Sequence, residues 1–402
     1  MDGWNRVLKS HRLQWAGFPA AQRWSLARFA RRTAGPLAQA SVVLALGVGA
    51  QTAQAQSNDI LIGQTAQLSG SGSEGSIAYA RGFRLYAQLA NADGGINGRS
   101  IKVLSIDDAG SAAQARENAE ILIKIYNVLA MGGGAGAGAA EGAAPLSTQL
   151  GVPTVGEYSA LPVLWSQRLV WTTRANYAEE ARALVARAKK AGQTHWAVFS
   201  QADSLGEAGA EALDQATREA GLDFPEHAQG SVEEASEAEV AAQKLIRSTP
   251  QAVLIAATGA AEQRFLQAWK RRGGTGQLYA LSFAGVLTPL GADEAQGITV
   301  AQVSPAPWDE TAPIAREYRQ ALGKFSPKED PSYASLEGYI AGKVLVAALR
   351  QPGALASREA LAKALNAVRS TTGVFEVSFS NGAQGGHFVD LTMIGAQKKY
   401  FY

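Results

Sequence analysis

The chain has 402 residues, with 37 Lys and Arg against 35 Asp and Glu, and no cysteine. The missing cysteines exclude disulfides and thiolate metal sites, so stability has to come from core burial. Seven of the basic residues and one of the acids lie before residue 36, leaving 30 basic against 34 acidic side chains, a net of −4, in the rest; that balance argues against nucleic acid or an anionic membrane as partner.

Residues 1–55 read as an export signal. Arg6, Lys9, Arg12, Arg23, Arg28, Arg31 and Arg32 precede an uncharged, mostly apolar run over 36–50, and Ala53-Gln54-Ala55 supplies the small residues a signal peptidase needs. A mature start at Gln56 is expected. The run falls short of the ~20 residues that span a bilayer, and no later segment is longer and equally apolar, so a soluble mature protein is expected. The residues around Arg31-Arg32 fit a twin-arginine signal poorly, which favours ordinary Sec export from a start downstream of residue 1. The length remaining suits two domains.

An apolar run over 60–62 ends at Gly63 and opens the first βα unit, with a small polar loop over 69–76 and an amphipathic helix over 78–91. Strands are expected at 101–106, 128–131, 152–155 and 169–172, with helices at 112–125 and 139–150. The pattern then starts afresh. Helices are expected at 177–191, 207–220, 238–248 and 261–272, and strands at 196–200, 252–257, 278–283 and 298–303. Helices at 312–323, 333–350 and 357–368 follow, and strands at 374–379 and 387–394 around Asn381-Gly382 read as a hairpin. A βαβ pattern used twice predicts an α/β fold with two doubly wound parallel sheets. The loop at 69–76 and Asp203-Ser204-Leu205-Gly206 stand at matching strand ends, where open α/β sheets take ligands, and so predict two halves of one cleft.

Few motifs point to chemistry. Gly134-x-Gly136-x-x-Ala139 follows a strand, with Glu157 at roughly the spacing of a ribose-binding acid, which meets the relaxed dinucleotide pattern. It follows the third strand of its domain, however, where such a fingerprint normally follows the first. The same loop suits any small ligand that must approach backbone N–H groups, or is a structural Gly/Ala turn. Asp107-Asp108 has no His or third acid at ligand spacing and reads as a solvated helix-start pair rather than a metal site. His195, His227 and His387 lie far apart, and neither Gly-x-Ser-x-Gly nor His-Glu-x-x-His occurs. No catalytic residue, metal ligand or cofactor is assigned.

Gly63-Gln-Thr-Ala-Gln-Leu-Ser-Gly70, Asn91-Ala-Asp-Gly-Gly-Ile-Asn-Gly98, Asp107-Asp108, Gly151-Val-Pro-Thr-Val155, Arg174-Ala-Asn-Tyr177, Ser282-Phe-Ala-Gly285 and Ser335-Leu-Glu-Gly-Tyr-Ile-Ala341 resemble the type I periplasmic binding proteins of the leucine/isoleucine/valine-binding class. The resemblance implies two Rossmann-like lobes joined by hinge strands, 57–174 plus 304–373 and 175–303 plus 374–402. It also implies a monomeric periplasmic protein, not an enzyme, that hands a small-molecule ligand to the membrane permease of an ABC importer.

By the same resemblance the ligand site falls on Gly136, Ala137, Gly138, Tyr158, Ser159, Ala160, Tyr177, Leu205, Gly259, Phe283 and Ala284. The family's serine-rich carboxylate loop is matched by 134–139 without its hydroxyls. Ala160 stands for its threonine and Leu205 for its tyrosine, and no acid stands near Phe283-Ala284 to accept an α-ammonium. A neutral ligand, or a carboxylate with an apolar or aromatic body, is therefore expected above a free amino acid. An exported dinucleotide-dependent oxidoreductase, resting on Gly134, Gly136, Ala139 and Glu157, and a ligand-sensing receptor subunit are the alternatives.

Overall fold

The computed structural model describes residues 58–231, 234–284, 295–372, 375–395 and 400–401. The expected signal and its cleavage site lie outside the described residues. Five strands form the first sheet: β1 (Ile60–Ala66), β2 (Ile101–Asp107), β3 (Ala130–Gly134), β4 (Thr154–Glu157) and β5 (Val170–Trp171). Their order is β2-β1-β3-β4-β5 and every pairing is parallel. β1, β3 and β4 are buried almost throughout, as strands covered by helices on both faces must be.

The second sheet begins with β6 (Trp196–Gln201), β7 (Glu226–Gly230), β8 (Ala252–Ala256), β9 (Gln277–Ala280) and β10 (Thr299–Gln302). A separate ribbon pairs β11 (Arg369–Thr372) with β12 (Phe375–Ser378), and β13 (Asp390–Ile394) and β14 (Tyr400–Phe401) then return to the second sheet. The order there is β14-β13-β10-β9-β8-β6-β7. β6 to β10 run parallel, whereas β13 is antiparallel to β10 and β14 to β13, so this sheet is mixed rather than purely parallel.

The helices are α1 (Ser73–Ala92), α2 (Ala112–Lys124), α3 (Ala144–Gln149), α4 (Tyr177–Lys190), α5 (Ser204–Glu219), α6 (Ala235–Arg247), α7 (Gly259–Arg271), α8 (Pro313–Phe325), α9 (Tyr333–Leu349) and α10 (Arg358–Asn366). No helix among the described residues is long and apolar enough to cross a membrane. α9 is buried nearly all round, which makes it a core helix rather than an amphipathic one. It packs on α1 through glycines: a Cβ at Gly82 would strike the Ser335 carbonyl, and one at Gly338 the Tyr79 carbonyl.

Three expectations need correction. The strands expected as a C-terminal hairpin part company: β12 pairs upstream with β11, and β13 crosses to β10. Asn381-Gly382 therefore turns a connection between lobes. The strand expected at 278–283 stops at Ala280, where Ala284 N–H turns back to donate to the Leu281 carbonyl. The helix expected at 139–150 opens as a π turn, Ala139–Ala143, before α3. β7 falls outside the expected strands, because Glu-His-Ala-Gln-Gly offers no apolar alternation; it pairs only with β6, at the sheet's edge.

The chain passes between the sheets three times, after β5, after β10 and after β12. The first and third passages run side by side. Thr172 N–H donates to the Ala383 carbonyl (2.9 Å), and Gly385 N–H to the Thr172 carbonyl (2.9 Å). Phe375, Val377 and Phe379 pack in the core of the first sheet with Tyr79, Phe83 and Tyr339.

Candidate functional site

In both sheets the chain order reverses beside the first strand of its βα series, between β1 and β3 and between β6 and β8. These reversals are where doubly wound sheets open a ligand crevice at the strands' carboxyl ends. The loops there are 67–72 and 135–138 in the first lobe, and 202–203 and 257–258 in the second. Asp203 caps α5 by accepting from Gly206 N–H (2.9 Å). Gln201 donates to Asp203 and accepts from Thr258 N–H (3.2 Å), which ties the two second-lobe loops together.

In the first lobe, Gln67 N–H donates to the Ala135 carbonyl (2.9 Å), and Gln67 Nε2 to the Ser71 carbonyl (3.0 Å). Gly136 faces the Gln67 side chain at a φ of 101°. Gly138 presses on the neighbouring loop: a Cβ there would stand 2.9 Å from the Gly110 carbonyl carbon and 3.0 Å from Ser111. Part of the glycine run thus serves close packing. Asp107-Asp108 is not a solvated pair. Asp107 Oδ1 accepts from Leu68 N–H (2.8 Å) and Ala109 N–H (2.9 Å). Asp108, fully buried, accepts from Thr65 Oγ1 (2.9 Å) and Gly110 N–H (2.9 Å). Both carboxyls fasten the β1 loop to the end of β2.

A row of aromatic rings runs from one lobe into the other with a guanidinium at its centre. Tyr79 and Tyr158 lie 5.1 Å apart, and Tyr177 and Phe283 lie 5.0 Å apart. The Arg174 guanidinium sits 5.8 Å from each of the Tyr158 and Tyr177 ring centres. Arg174 follows β5 on the first passage, just before the Asn176–Glu179 capping box that starts α4. It is 2% exposed and donates to the Tyr158 carbonyl, to Ser282 Oγ and to Glu180 Oε1 (2.9 Å), with Glu337 Oε2 at 3.4 Å. Burial pulls its pKa down, but Glu337 and Glu180 together outweigh that and keep the guanidinium charged. Burial lifts Glu337 to about 7 against the pull of Arg174, and it raises Glu180 as well.

Tyr158, Ala160, Tyr177 and Phe283 thus meet where the lobes join. Tyr177 OH accepts from Ala160 N–H (3.0 Å), and Ala137 and Leu205 pack on the cluster that holds Ala160, Tyr177 and Phe283. Ser159 is buried beside them, with no hydrogen-bond partner for its hydroxyl. Gly259 begins α7, directly after the loop 257–258, and faces Ser71 and Gly72. Ala284 lies apart, in a separate cluster with Ala257 and Ala261. Glu157 is buried with its carboxyl over Gly134, and burial followed by Asp108 lifts it to about 8. A neutral, enclosed carboxyl is not offered to a ribose, which removes the acid from the dinucleotide reading. Among the described residues no three His, Cys, Asp or Glu gather as metal ligands.

In the sequence, Arg174 and Glu337 stand only as parts of the motifs Arg174-Ala-Asn-Tyr177 and Ser335-Leu-Glu-Gly-Tyr-Ile-Ala341. The signal that singles them out is charge inside apolar company: Arg174 two residues behind a strand, and Glu337 within a helix that is otherwise apolar.

Comparison with known proteins fits this geometry. The family model described as periplasmic binding protein matches residues 59–398. The chain belongs to that family. The structure is similar to that of a possible leucine/isoleucine/valine-binding protein from Rhodopirellula baltica, with 27% identity, a TM-score of 0.81, and coverage of 86% of this chain and 97% of that one. It is also similar to an ABC-transporter solute-binding protein from R. palustris in complex with benzoate (19% identity, TM-score 0.75, 85% and 95% covered). A third likeness is to a branched-chain amino acid ABC transporter protein from Thermus thermophilus with bound valine (17% identity, TM-score 0.74, 85% and 94% covered). No curated protein matches in sequence.

Proposed function

We propose that this periplasmic binding protein captures a small organic carboxylate with an apolar or aromatic body between its lobes and delivers it to the permease of an ABC importer. The observation that carries this reading is the row from Tyr79 through Tyr158, Arg174 and Tyr177 to Phe283. It sets half-buried Tyr158 beside Tyr177 where the lobes meet, while Glu180 and Glu337 are already engaged by Arg174. An amino acid would need a further carboxylate for its ammonium, and doing without one forfeits about 1.5–3 kcal/mol. The benzoate-bound and valine-bound relatives show that this fold serves both ligand chemistries.

Ligand contacts are assigned to Gly136, Ala137, Gly138, Tyr158, Ser159, Ala160, Tyr177, Leu205 and Gly259. Phe283 supports Tyr177 from behind. Ala284, packed elsewhere, is left out. The lobes are taken as 57–174 plus 304–379 and 175–303 plus 380–402, the last boundary lying past Phe379 because 375–379 pack on the first core. Export through residues 1–55 places the protein in the periplasm, where it acts as a monomer. The test is mass spectrometry of small molecules released by denaturing protein purified natively from its source. A monocarboxylate without an amine supports the reading; a stoichiometric α-amino acid overturns it.

A further inference from the structure

We propose that the turn Ser71-Gly72 and the start of α7 form a clasp that holds the lobes shut at the cleft mouth, with Ser71 as its positioning residue. This rests on the reading of the cleft as a hinged trap.

The first turn of a helix leaves N–H donors without intrahelical partners, and the N-cap side chain ordinarily takes the one at the second or third position. Thr258 occupies the N-cap of α7 yet makes no side-chain cap bond. The N–H it would serve, on Ala260, donates instead to Ser71 Oγ (3.0 Å). Ser71 belongs to the loop after β1, on the other lobe, so α7 is capped in trans. Gly72 and Gly259 meet beside this bond, both with positive φ, 78° and 55°. A Cβ on Gly259 would stand 2.7 Å from both Gly72 N and Ser71 Oγ, and one on Gly72 would stand 2.9 Å from Thr258 Oγ1. Against the native Ser71 and Thr258, neither glycine leaves room for a side chain. When the lobes part, the Ala260 donor loses its cap. An N-cap bond worth about 1 kcal/mol corresponds to a roughly fivefold bias toward the closed state.

The absence of native cysteine makes the test clean. In the G72C/T258C variant the two Cβ atoms would lie about 3.4 Å apart, at the short edge of the Cβ–Cβ range that disulfides span. Mild oxidation of the ligand-free protein should consume both thiols within one monomer. Adding Ser71→Ala should slow this about fivefold, and Ser71→Thr should restore it. Thiols that stay free in a variant with wild-type melting would overturn the clasp and leave the cleft reading intact. An unchanged oxidation rate in the Ser71→Ala background would also overturn it. A disulfide that forms while small-angle scattering gives the same dimensions for oxidised and reduced protein would instead overturn the hinge, because the contact would then be permanent.

Discussion

Glu180 Oε1 lies 2.9 Å from Arg174 Nη2, and both side chains are almost wholly removed from water. Arg174 leaves the last strand of the first sheet and Glu180 sits on the first helix of the second, so their pairing fixes the angle of the first passage between lobes. Ser282 strengthens the joint, its N–H donating to Glu180 Oε2 (2.8 Å) and its hydroxyl to Glu180 Oε1 (2.9 Å).

Removing one partner of a buried pair leaves the other charge uncompensated, at a cost of about 3–5 kcal/mol. Arg174→Met should therefore lower unfolding stability by that order in urea titrations. Arg174→Met combined with Glu180→Gln should recover part of the loss. Recovery is expected because the penalty comes from the stranded carboxylate and not from a missing attraction.

Glu157 should make the protein more stable at mildly acidic than at alkaline pH. Its carboxyl is raised from 4.5 to about 8. The folded state therefore keeps a proton that the unfolded chain releases above about 4.5. Its stabilising contribution is full below that pH and is lost as pH rises through 8. Glu337, raised to about 7, acts in the same direction. Glu157→Gln should gain roughly 1–3 kcal/mol on the wild type between pH 5.5 and 8.5, read from chemical denaturation at the two pH values.

Phe283 is 5% exposed, and it lies against Tyr177 and toward Gly209 of α5. Phe283→Ala should destabilise the ligand-free protein by about 3–5 kcal/mol, the usual cost of truncating a core aromatic. Tyr158 is only partly buried, and Tyr158→Phe should leave the melting temperature within a degree or two of wild type. Calorimetric melting of both variants without ligand checks the contrast.

Gly338→Ala should prevent folding of the first lobe, because the added methyl would collide with the Tyr79 backbone carbonyl, which has no rotamer by which to yield. Circular dichroism at 25 °C should show lost cooperativity. The exposed Gly323→Ala on α8 should melt like wild type.

Sequence pattern carried the alternation of strands and helices, the two-sheet architecture and the small-residue loops at the strand ends. β3 and β8 are apolar or small throughout, so their burial could be read directly. What stayed hidden depends on partners distant in the chain. β12 holds alternating residues suited to a hairpin on either side; in the fold it pairs with β11 and buries Phe375 and Val377 in the core that holds Tyr79 and Phe83. Arg174 and Glu180 are ordinary charged residues until the fold brings Ser282, more than a hundred residues away, onto both. The trans cap from Ser71 to Ala260 is likewise invisible in a stretch that reads only as small and polar.

The central claim is that the interlobe site prefers an apolar or aromatic carboxylate to a free amino acid. Isothermal titration of refolded, ligand-stripped protein against benzoate, hexanoate, L-leucine and L-valine tests it most directly. At least one carboxylate without an amine should bind ten- to a hundredfold more tightly than either amino acid, the factor expected for an unpaired ammonium. Submicromolar binding of leucine or valine, with the amine-free acids weaker, would contradict it and would mean that another carboxylate supplies the missing charge.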